Sequence, residues 1–528
     1  MAGSASATTT EPEMIAALSR AAAYPPPVDE VLKIETHISW VFLAGEFAYK
    51  FKKPLDLGFL DFRDRDRRLH YCREELRLNG RLAPDIYLDL AGARKTSSGW
   101  RVGPWTTDAE PAVRMRRFPG EARLDRRLEA GRLDHTALEN FAHRLARFQA
   151  GLQPAAPGDG FGDTAAVIRP ALANFEALPR EALAPGTADD FARLERWTRQ
   201  RATALGPLFE ARLAAGFVRE GHGDLHLANL VMLDDRIAAF DGIEFDPALR
   251  WIDVQSEVAF LLMDLESRDR GELGWRFYNA WLAALGDYDG LAVLRWYLVY
   301  RHLVRAKIDG IRLAQAGTED DGSGELRARQ AAHLARALEH AAPGRPLLVL
   351  MRGFSGSGKS RLAARLAPRA EAAWVRSDLE RKRLHGLDPM ASAPGGVGEG
   401  LYDSAATERT YARLQAITRT ALRSGCSLVV DAAFLETERR EAFVRIALQE
   451  DADPVILSCE APADLLRERV STRRGDPSDA GLQVLEAQLA RPVETGALER
   501  QYTLPIDTRT DPDLENLTGR VEALRNAR

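Results

Sequence analysis

The run Gly353-Phe354-Ser355-Gly356-Ser357-Gly358-Lys359-Ser360 has the form G-x-x-x-x-G-K-S, and its flanks restrict the fold more than any other stretch of the chain. An apolar run, Leu347 to Met351, leads into it, and a helical pattern leaves it from Arg361. Strand, glycine loop and helix in that order make a phosphate cradle. Glycines let backbone N–H groups close around an anion, and the helix N-terminus draws negative charge. Lys359 is placed to reach the β- and γ-phosphates of ATP, and Ser360 to ligate Mg²⁺. Gly353, Ser355, Gly356, Ser357 and Gly358 are the loop positions expected to bind the nucleotide. Such a unit belongs to an α/β domain with a mostly parallel sheet.

Two more strand-like runs follow, and each ends in an acid. Ala372 to Val375 leads to Arg376-Ser377-Asp378, and Ser427 to Val430 leads to Asp431. Acids at the carboxyl ends of neighbouring strands line the crevice where α/β sheets bind ligand. Asp378 therefore suits a general base or an anchor for an acceptor hydroxyl, and Asp431 a metal or water contact. Each could instead cap the helix that follows. Further on, Arg467, Arg469, Arg473 and Arg474 precede Gly475-Asp476-Pro477. They resemble the arginine-bearing lid of small kinases, whose cations stabilise transferring phosphoryl charge; an exposed basic helix is the other reading. From Leu347 to the end, the chain resembles P-loop kinases of the gluconate kinase, polynucleotide kinase and zeta-toxin neighbourhood. It lacks the long insertion expected of mechanical AAA-type ATPases.

At 528 residues, the chain has room for about three ordinary domains, so the P-loop domain leaves most of the sequence to explain. A hydrophobic share of 45% and a charged share of 28% are those of a soluble globular protein. The net charge of -5 gives no global attraction to nucleic acid or anionic membrane. Nucleic acid is thus an unlikely partner, and small molecules the expected ones. Three widely spaced cysteines, Cys72, Cys426 and Cys459, argue against a disulfide framework and fit a reducing cytoplasm. Met1 to Thr10 has no charged n-region or apolar h-region of a signal peptide, and no later apolar run suits a membrane span.

Residues 1–26 read as a flexible tail ending in Pro25-Pro26-Pro27. Residues 27–120 then carry β-rich runs. Thr36 to Pro54 forms two such runs around Ala44-Gly45-Glu46, a hairpin whose second strand holds Lys50 and Lys52 on one face. Arg63 to Gly80 is an amphipathic helix with Leu69, Cys72, Leu76 and Asn79 at three- and four-residue spacing, stopping at Asn79-Gly80. Glu75 shares that stripe, and Glu74 is its neighbour. Ala112 to Phe118 reads as a further strand. Residues 121–340 are read as an all-helical lobe, broken at Gly151–Gly162 and Pro179–Gly186. The breaks at 317–324 and in the linker 341–346 set this lobe apart from the P-loop domain at 347–528.

Within the helical part lies His222-Gly223-Asp224-Leu225-His226-Leu227-Ala228-Asn229, with Asp and Asn separated by four residues, and then the β-like run Ile237 to Phe240 ending in Asp241-Gly242. That spacing matches the catalytic loop and the second metal-holding Asp of kinase-like folds. Together with the Lys50 hairpin, these segments resemble the aminoglycoside phosphotransferase and choline kinase branch of the kinase-like superfamily, from about Val28 to His340. The resemblance implies an α+β two-lobe domain that transfers phosphoryl from ATP to a hydroxyl. Asp224 would be the base, Asn229 and Asp241 Mg²⁺ ligands, and Lys50 the phosphate-pairing lysine, oriented by Glu75. Lys52 and Glu74 stay open as alternatives for the ion pair. No G-x-G-x-x-G precedes Lys50, so the turn at His37 to Trp40 or at Ala44 to Glu46 would cover the nucleotide.

Taken together, the two halves resemble bacterial fusion proteins that join an aminoglycoside-phosphotransferase-like domain to a P-loop kinase. The resemblance implies two Mg-ATP sites, each serving a small-molecule hydroxyl acceptor. Two other readings remain: one site senses nucleotide without turnover, or the P-loop domain phosphorylates polynucleotide 5′-hydroxyl ends.

Overall fold

Alternation along two strands sets the architecture of the N-terminal part. Trp40, Phe42 and Ala44 point with Tyr49 and Phe51 into one apolar cluster, while Val41, Leu43 and Ala48 point into another that includes Cys72, Val113 and Met115. A strand's side chains alternate between faces, so the sheet is covered on both sides. In the computed structural model, which describes residues 10–58, 60–316, 323–389, 403–472, 481–491 and 493–526, this sheet has six antiparallel strands. They are β1 (Val31–Glu35), β2 (Ser39–Ala44), β3 (Phe47–Lys52), β4 (Tyr87–Thr96), β5 (Gly99–Pro104) and β6 (Glu110–Arg116), in the order β1-β2-β3-β6-β4-β5. The helix Arg65–Asn79, capped by Asp64, packs on the face that carries Lys50 and Lys52.

Of the expected flexible tail, residues 1–9 lie outside the described residues, and residues 10–26 are ordered rather than flexible. Thr10–Leu18 is helical, and Met14 and Leu18 are buried in the cluster of Trp40 and Phe42. Two apolar residues four apart give this short helix one buried face, a signal that its Ala-rich surroundings obscure. The all-helical expectation for 121–340 is also corrected. Two short antiparallel pairs interrupt the helices: β7 (Val218–Glu220) with β10 (Trp251–Asp253), and β8 (Leu230–Leu233) with β9 (Arg236–Ala239). Strand β9 overlaps the β-like run Ile237 to Phe240 read from the sequence; the other three, of three or four residues, are too short for alternation to show.

The chain divides into two compact units, Met1–Ala137 with Leu152–Ala166 and Ala211–Glu257, and Leu138–Gly151 with Val167–Glu210 and Val258–Arg528. The second unit contains a five-stranded parallel sheet: β11 (Leu347–Arg352), β12 (Ala373–Arg376), β13 (Leu428–Asp431), β14 (Asp453–Glu460) and β15 (Thr503–Asp507), in the order β12-β13-β11-β14-β15. Residues 341–346 therefore mark a change of fold but not of compact unit. Edge strand β12 explains why. Asn279, on the helix Gly271–Leu285, donates to Ala372 O at 3.0 Å and accepts from Trp374 N at 2.8 Å, and Tyr288 Oη donates to Trp374 O at 3.0 Å. Helices of the preceding lobe thus cap an edge that would otherwise present open N–H and C=O groups. Among the described residues, no helix is long and apolar enough to cross a membrane.

In the first unit, Glu220 on β7 accepts hydrogen bonds from Arg77 at 2.8 Å, Arg250 at 3.1 Å and Arg81 at 3.2 Å. Burial would raise its carboxyl, but the bonds from Arg77 and Arg250 prevail and hold it at about 2, down from 4.5. A depressed carboxyl contributes stability that is present above its unfolded value and lost as pH falls through its folded value. Between about pH 4.5 and 2, thermal denaturation should therefore show a loss of about 1 kcal/mol, or roughly 2–4 °C, after allowing for solvent screening. Glu220→Gln should flatten that slope. An unchanged slope would mean the arginines contribute nothing to acid stability.

Candidate functional site

Strand β3 and the helix Arg65–Asn79 bring together a buried charge cluster in the first unit. Lys50 Nζ donates to Glu75 Oε1 at 2.8 Å and to Asp241 Oδ1 at 2.6 Å. Lys52 Nζ donates to Glu75 Oε2 at 2.7 Å and to Glu244 Oε1 at 2.5 Å. One carboxylate thus binds both lysines, and their second partners distinguish them. The Asp241 side chain is 50% exposed, whereas Lys52 and Glu244 are enclosed at 0% and 4%. Lys50 faces accessible space, and Lys52 sits inside the lobe beside the Phe62 ring. Glu74 pairs instead with Arg77 and Arg250. Burial opposes the charge on Lys50, but Asp241 and Glu75 outweigh it and keep the ammonium protonated. Burial would raise Glu75, yet Lys50 and Lys52 bring it to about 2. Burial pushes Glu244 up.

The loop around Asp224 is held by its backbone. Asn229 Nδ2 donates to Asp224 Oδ2 at 2.8 Å and to Asp224 O at 3.0 Å, committing its amide nitrogen and leaving Oδ1 as its cation donor. His226 Nε2 lies 3.3 Å from Asp224 Oδ2. Phe240 N donates to Asn229 O at 3.0 Å, which extends the β8–β9 pairing and delivers Asp241 next to Asn229. Asp241 itself has φ of 60°, a left-handed conformation that Asp tolerates better than most residues. Its N–H donates to Tyr87 Oη at 3.0 Å. Burial lowers the pKa of His222, so the imidazole is neutral. Its Nε2 then donates to Phe240 O at 2.9 Å while Nδ1 accepts from Asp224 N at 3.3 Å, one tautomer serving both.

Three supports went unread in the sequence. Asn79, on the amphipathic stripe and at the helix stop, accepts from Gly242 N at 2.7 Å and donates to Glu75 O at 3.1 Å, tying the Glu75 helix to the Asp241 turn. Glu244 partners Lys52. Glu257 accepts from the backbone of His222 and, at 3.2 Å, from that of Gly223. A buried Asn on an otherwise apolar stripe was the available signal for the first; the other two had none. Of the two turns expected to cover the nucleotide, His37 to Trp40 spans the 36–38 connection from β1 and the start of β2, and Ala44 to Glu46 spans the end of β2 and the 45–46 connection to β3.

In the second unit, the G-x-x-x-x-G-K-S loop lines a cleft of about 860 Å³, together with Asp378, Arg381, Asp431 and Arg469. Gly353 has φ of 152°, and a Cβ there would meet Ser357 Oγ at 2.5 Å and Cys459 O at 2.7 Å, so no side chain fits. Lys359 Nζ rests on Phe354 O at 3.1 Å. Burial raises the Asp431 carboxyl, with Arg376, Lys359 and Ser360 close enough to oppose it. Ser360 thus lies within hydrogen-bonding reach of the Asp431 carboxyl. Asp431 does not cap the next helix, whose N-cap is Glu436, whereas Asp378 lies in the first turn of Ser377–Leu384. Asp431 Oδ2 and Ser357 Oγ are buried without a hydrogen-bond partner, and oxygen donors of this kind suit Mg²⁺. Arg469 bonds Gly356 O at 3.4 Å and Thr508 O at 2.7 Å, while Arg467 pairs with Glu486 at 2.7 Å. Arg473 and Arg474 lie outside the described residues. Arg383 turns from the cleft to Glu380 and Ala283 O.

Residues 348–494 match a family described as "AAA domain". Over 457 residues, the chain is 32% identical to the uncharacterized protein Rv2004c of Mycobacterium tuberculosis, spanning 87% of this chain and 89% of that protein. The chain belongs to the family of this mycobacterial protein. At 87% of the chain, the match spans residues of both compact units. Among solved structures, a sugar kinase from Janibacter sp. HTCC2649 is 20% identical, covering 35% of this chain and 95% of its own, with a TM-score of 0.26. The amicoumacin kinase hAmiN, solved with AMP-PNP, Ca²⁺ and Ami, is 12% identical, covering 62% and 94%, with a TM-score of 0.38.

Proposed function

We propose that the chain is an ATP-dependent phosphotransferase with two Mg-ATP sites, each passing the γ-phosphoryl group to a hydroxyl of a small-molecule acceptor. The observation that carries this reading is the convergence on Asp241: Lys50 reaches it and Glu75 together, and the β8–β9 pairing sets it beside Asn229, which is bonded to Asp224. Bound Mg²⁺ would neutralise phosphate charge, held by Asn229 and Asp241 in one site and by Ser360 and Asp431 in the other. Lys50, oriented by Glu75, pairs with phosphate oxygens. Asp224 accepts the acceptor's proton as its oxygen bonds to phosphorus and the bond to ADP breaks. In the P-loop site, the backbone N–H groups and Lys359 hold the phosphates, Asp378 orients or deprotonates the acceptor, and the charges of Arg469, Arg473 and Arg474 stabilise the transferring group. Three buried free cysteines fit work in the reducing cytoplasm.

Arg376 and Arg381 beside Asp378 favour a second reading for that site, an acceptor whose hydroxyl lies next to a phosphate, as the 5′-hydroxyl of a polynucleotide lies next to its first phosphodiester. Mass spectrometry of a metabolite extract incubated with Mg-ATP and wild type, Asp224→Ala or Lys359→Ala tests both. Each variant should abolish a different phosphorylated product. Labelling of a 5′-hydroxyl oligonucleotide, lost only in Lys359→Ala, would decide for the second reading. With ATP bound but no product from wild type, the chain would be a nucleotide sensor instead.

A further inference from the structure

Three helices of the second unit converge on a cluster that the phosphotransferase reading leaves unused. Glu266 ends the helix Val254–Glu266, His302 lies within Leu291–Ala316, and His340 lies near the end of Ser323–Ala341. One ligand atom from each of the three lies within 4.8 Å of the others. His340 Nε2 is 2.9 Å from Glu266 Oε2, and the His302 and His340 rings stack at 5.6 Å. His302 is fully buried at 0% exposure and Glu266 is at 4%.

Hydrogen bonding within the protein does not satisfy the cluster. His302 Nε2 and Glu266 Oε1 are both buried without a partner, and orphaned polar atoms at that depth are uncommon. His302 Nδ1 lies 3.1 Å from His333 Nδ1, so one of the two must donate to the other. When His302 donates, its Nε2 carries a bare lone pair. This is the arrangement in which a metal-binding imidazole is oriented through its other nitrogen. Two imidazoles and one carboxylate form a three-ligand set for zinc that leaves a fourth position open.

We propose that Glu266, His302 and His340 hold a divalent transition-metal ion of the Zn²⁺ class, with His333 positioning the His302 ring. Zinc–nitrogen and zinc–oxygen bonds of about 2.0–2.2 Å place neighbouring ligand atoms roughly 3.3 Å apart, so a small contraction of the existing cluster forms the shell. Mixed imidazole and carboxylate donors favour zinc and its neighbours over Mg²⁺ or Ca²⁺, which prefer oxygen alone. A cleft of about 350 Å³ lined by Glu266, His340 and Glu371 gives the ion a path in. Of the cations lining this cleft, Arg336 is occupied by Glu339 at 2.9 Å and Asp269 at 3.3 Å, and Arg295 by His340 O at 2.6 Å and Ser424 O at 2.7 Å. The ion fastens the last helix before strand β11 to two helices of the preceding lobe. Its role is structural and independent of the two nucleotide sites.

The test uses the full chain, stripped with a chelator and titrated with Zn²⁺ alone, without nucleotide. Wild type should take up about one ion per chain more than His302→Asn or His340→Gln does, and its melting temperature should rise with Zn²⁺ where theirs does not. Each substitution should weaken uptake by about 100-fold or more, and Co²⁺ should give visible ligand-field bands only in the wild type. His340 sits at the rim, so if His302→Asn fails to fold, His340→Gln decides. Zinc uptake and stabilisation that are equal in wild type and His340→Gln, or absent from both, would overturn the proposal and leave a buried polar cluster.

Discussion

Asp224→Ala should slow transfer at the kinase-like site by about 10²–10⁴-fold, the range that a positioned proton acceptor supplies, while ATP affinity changes little. The expectation follows from where Asp224 sits. Its carboxylate is bonded by the amide of Asn229 at 2.8 Å and its backbone N–H by the neutral His222 ring, so the side chain is held in place. Removing it also leaves the Asn229 amide with only its bond to Asp224 O. Asp224→Asn separates the two effects: its side-chain oxygen still accepts from Asn229, but an amide cannot take the acceptor's proton. Similar losses in both variants would assign the effect to proton transfer. Near-normal turnover in Asp224→Asn with a large loss in Asp224→Ala would show that Asp224 serves to position Asn229. Full activity in both would remove Asp224 from the reaction. The readout is single-turnover transfer to whichever acceptor depends on this site, with nucleotide binding measured separately.

What could be read from the sequence was what repeats at short range. The G-x-x-x-x-G-K-S loop and its strand and helix appear as expected because each step is local, and Arg65–Asn79 ends at the Asn79-Gly80 stop. Asp224, Asn229 and Asp241 come together because a β-hairpin, itself a local structure, carries the last back to the second. Relations fixed only by packing stayed hidden. Alternation placed Lys50 and Lys52 on one face but could not say which faced accessible space, since that depends on Glu244, far along the chain. The covering of edge strand β12 by Asn279 and Tyr288 was equally invisible, because an amphipathic helix shows that it has a partner without showing which. The Thr10–Leu18 helix was missed for a related reason: two buried side chains suffice to dock it, too few to produce a periodic pattern.

The two lysines should separate cleanly on substitution. Lys50→Met should lower transfer by about 10²–10³-fold, the usual loss for one charge-stabilising donor, with a small change in melting temperature. Glu75 keeps Lys52, and Asp241 is half exposed and can be hydrated. Lys52→Met should instead destabilise the first unit by about 3–5 kcal/mol, because it strands the enclosed Glu244 without its cation. The pH dependence has a definite sign. Burial already raises Glu244, and loss of Lys52 raises it further. A carboxyl raised in the folded state contributes stability below its folded value and loses it as pH rises through that value. The Lys52→Met deficit should therefore shrink as the pH is lowered, and Lys52→Met with Glu244→Gln should recover much of it at neutral pH, since a neutral buried amide costs less than an unpaired charge. Chemical denaturation of the single and double variants measures this directly. If Lys52→Met abolishes transfer at unchanged stability while Lys50→Met unfolds the unit, the nucleotide faces Lys52, and the two roles drawn from Asp241 and Glu244 are exchanged.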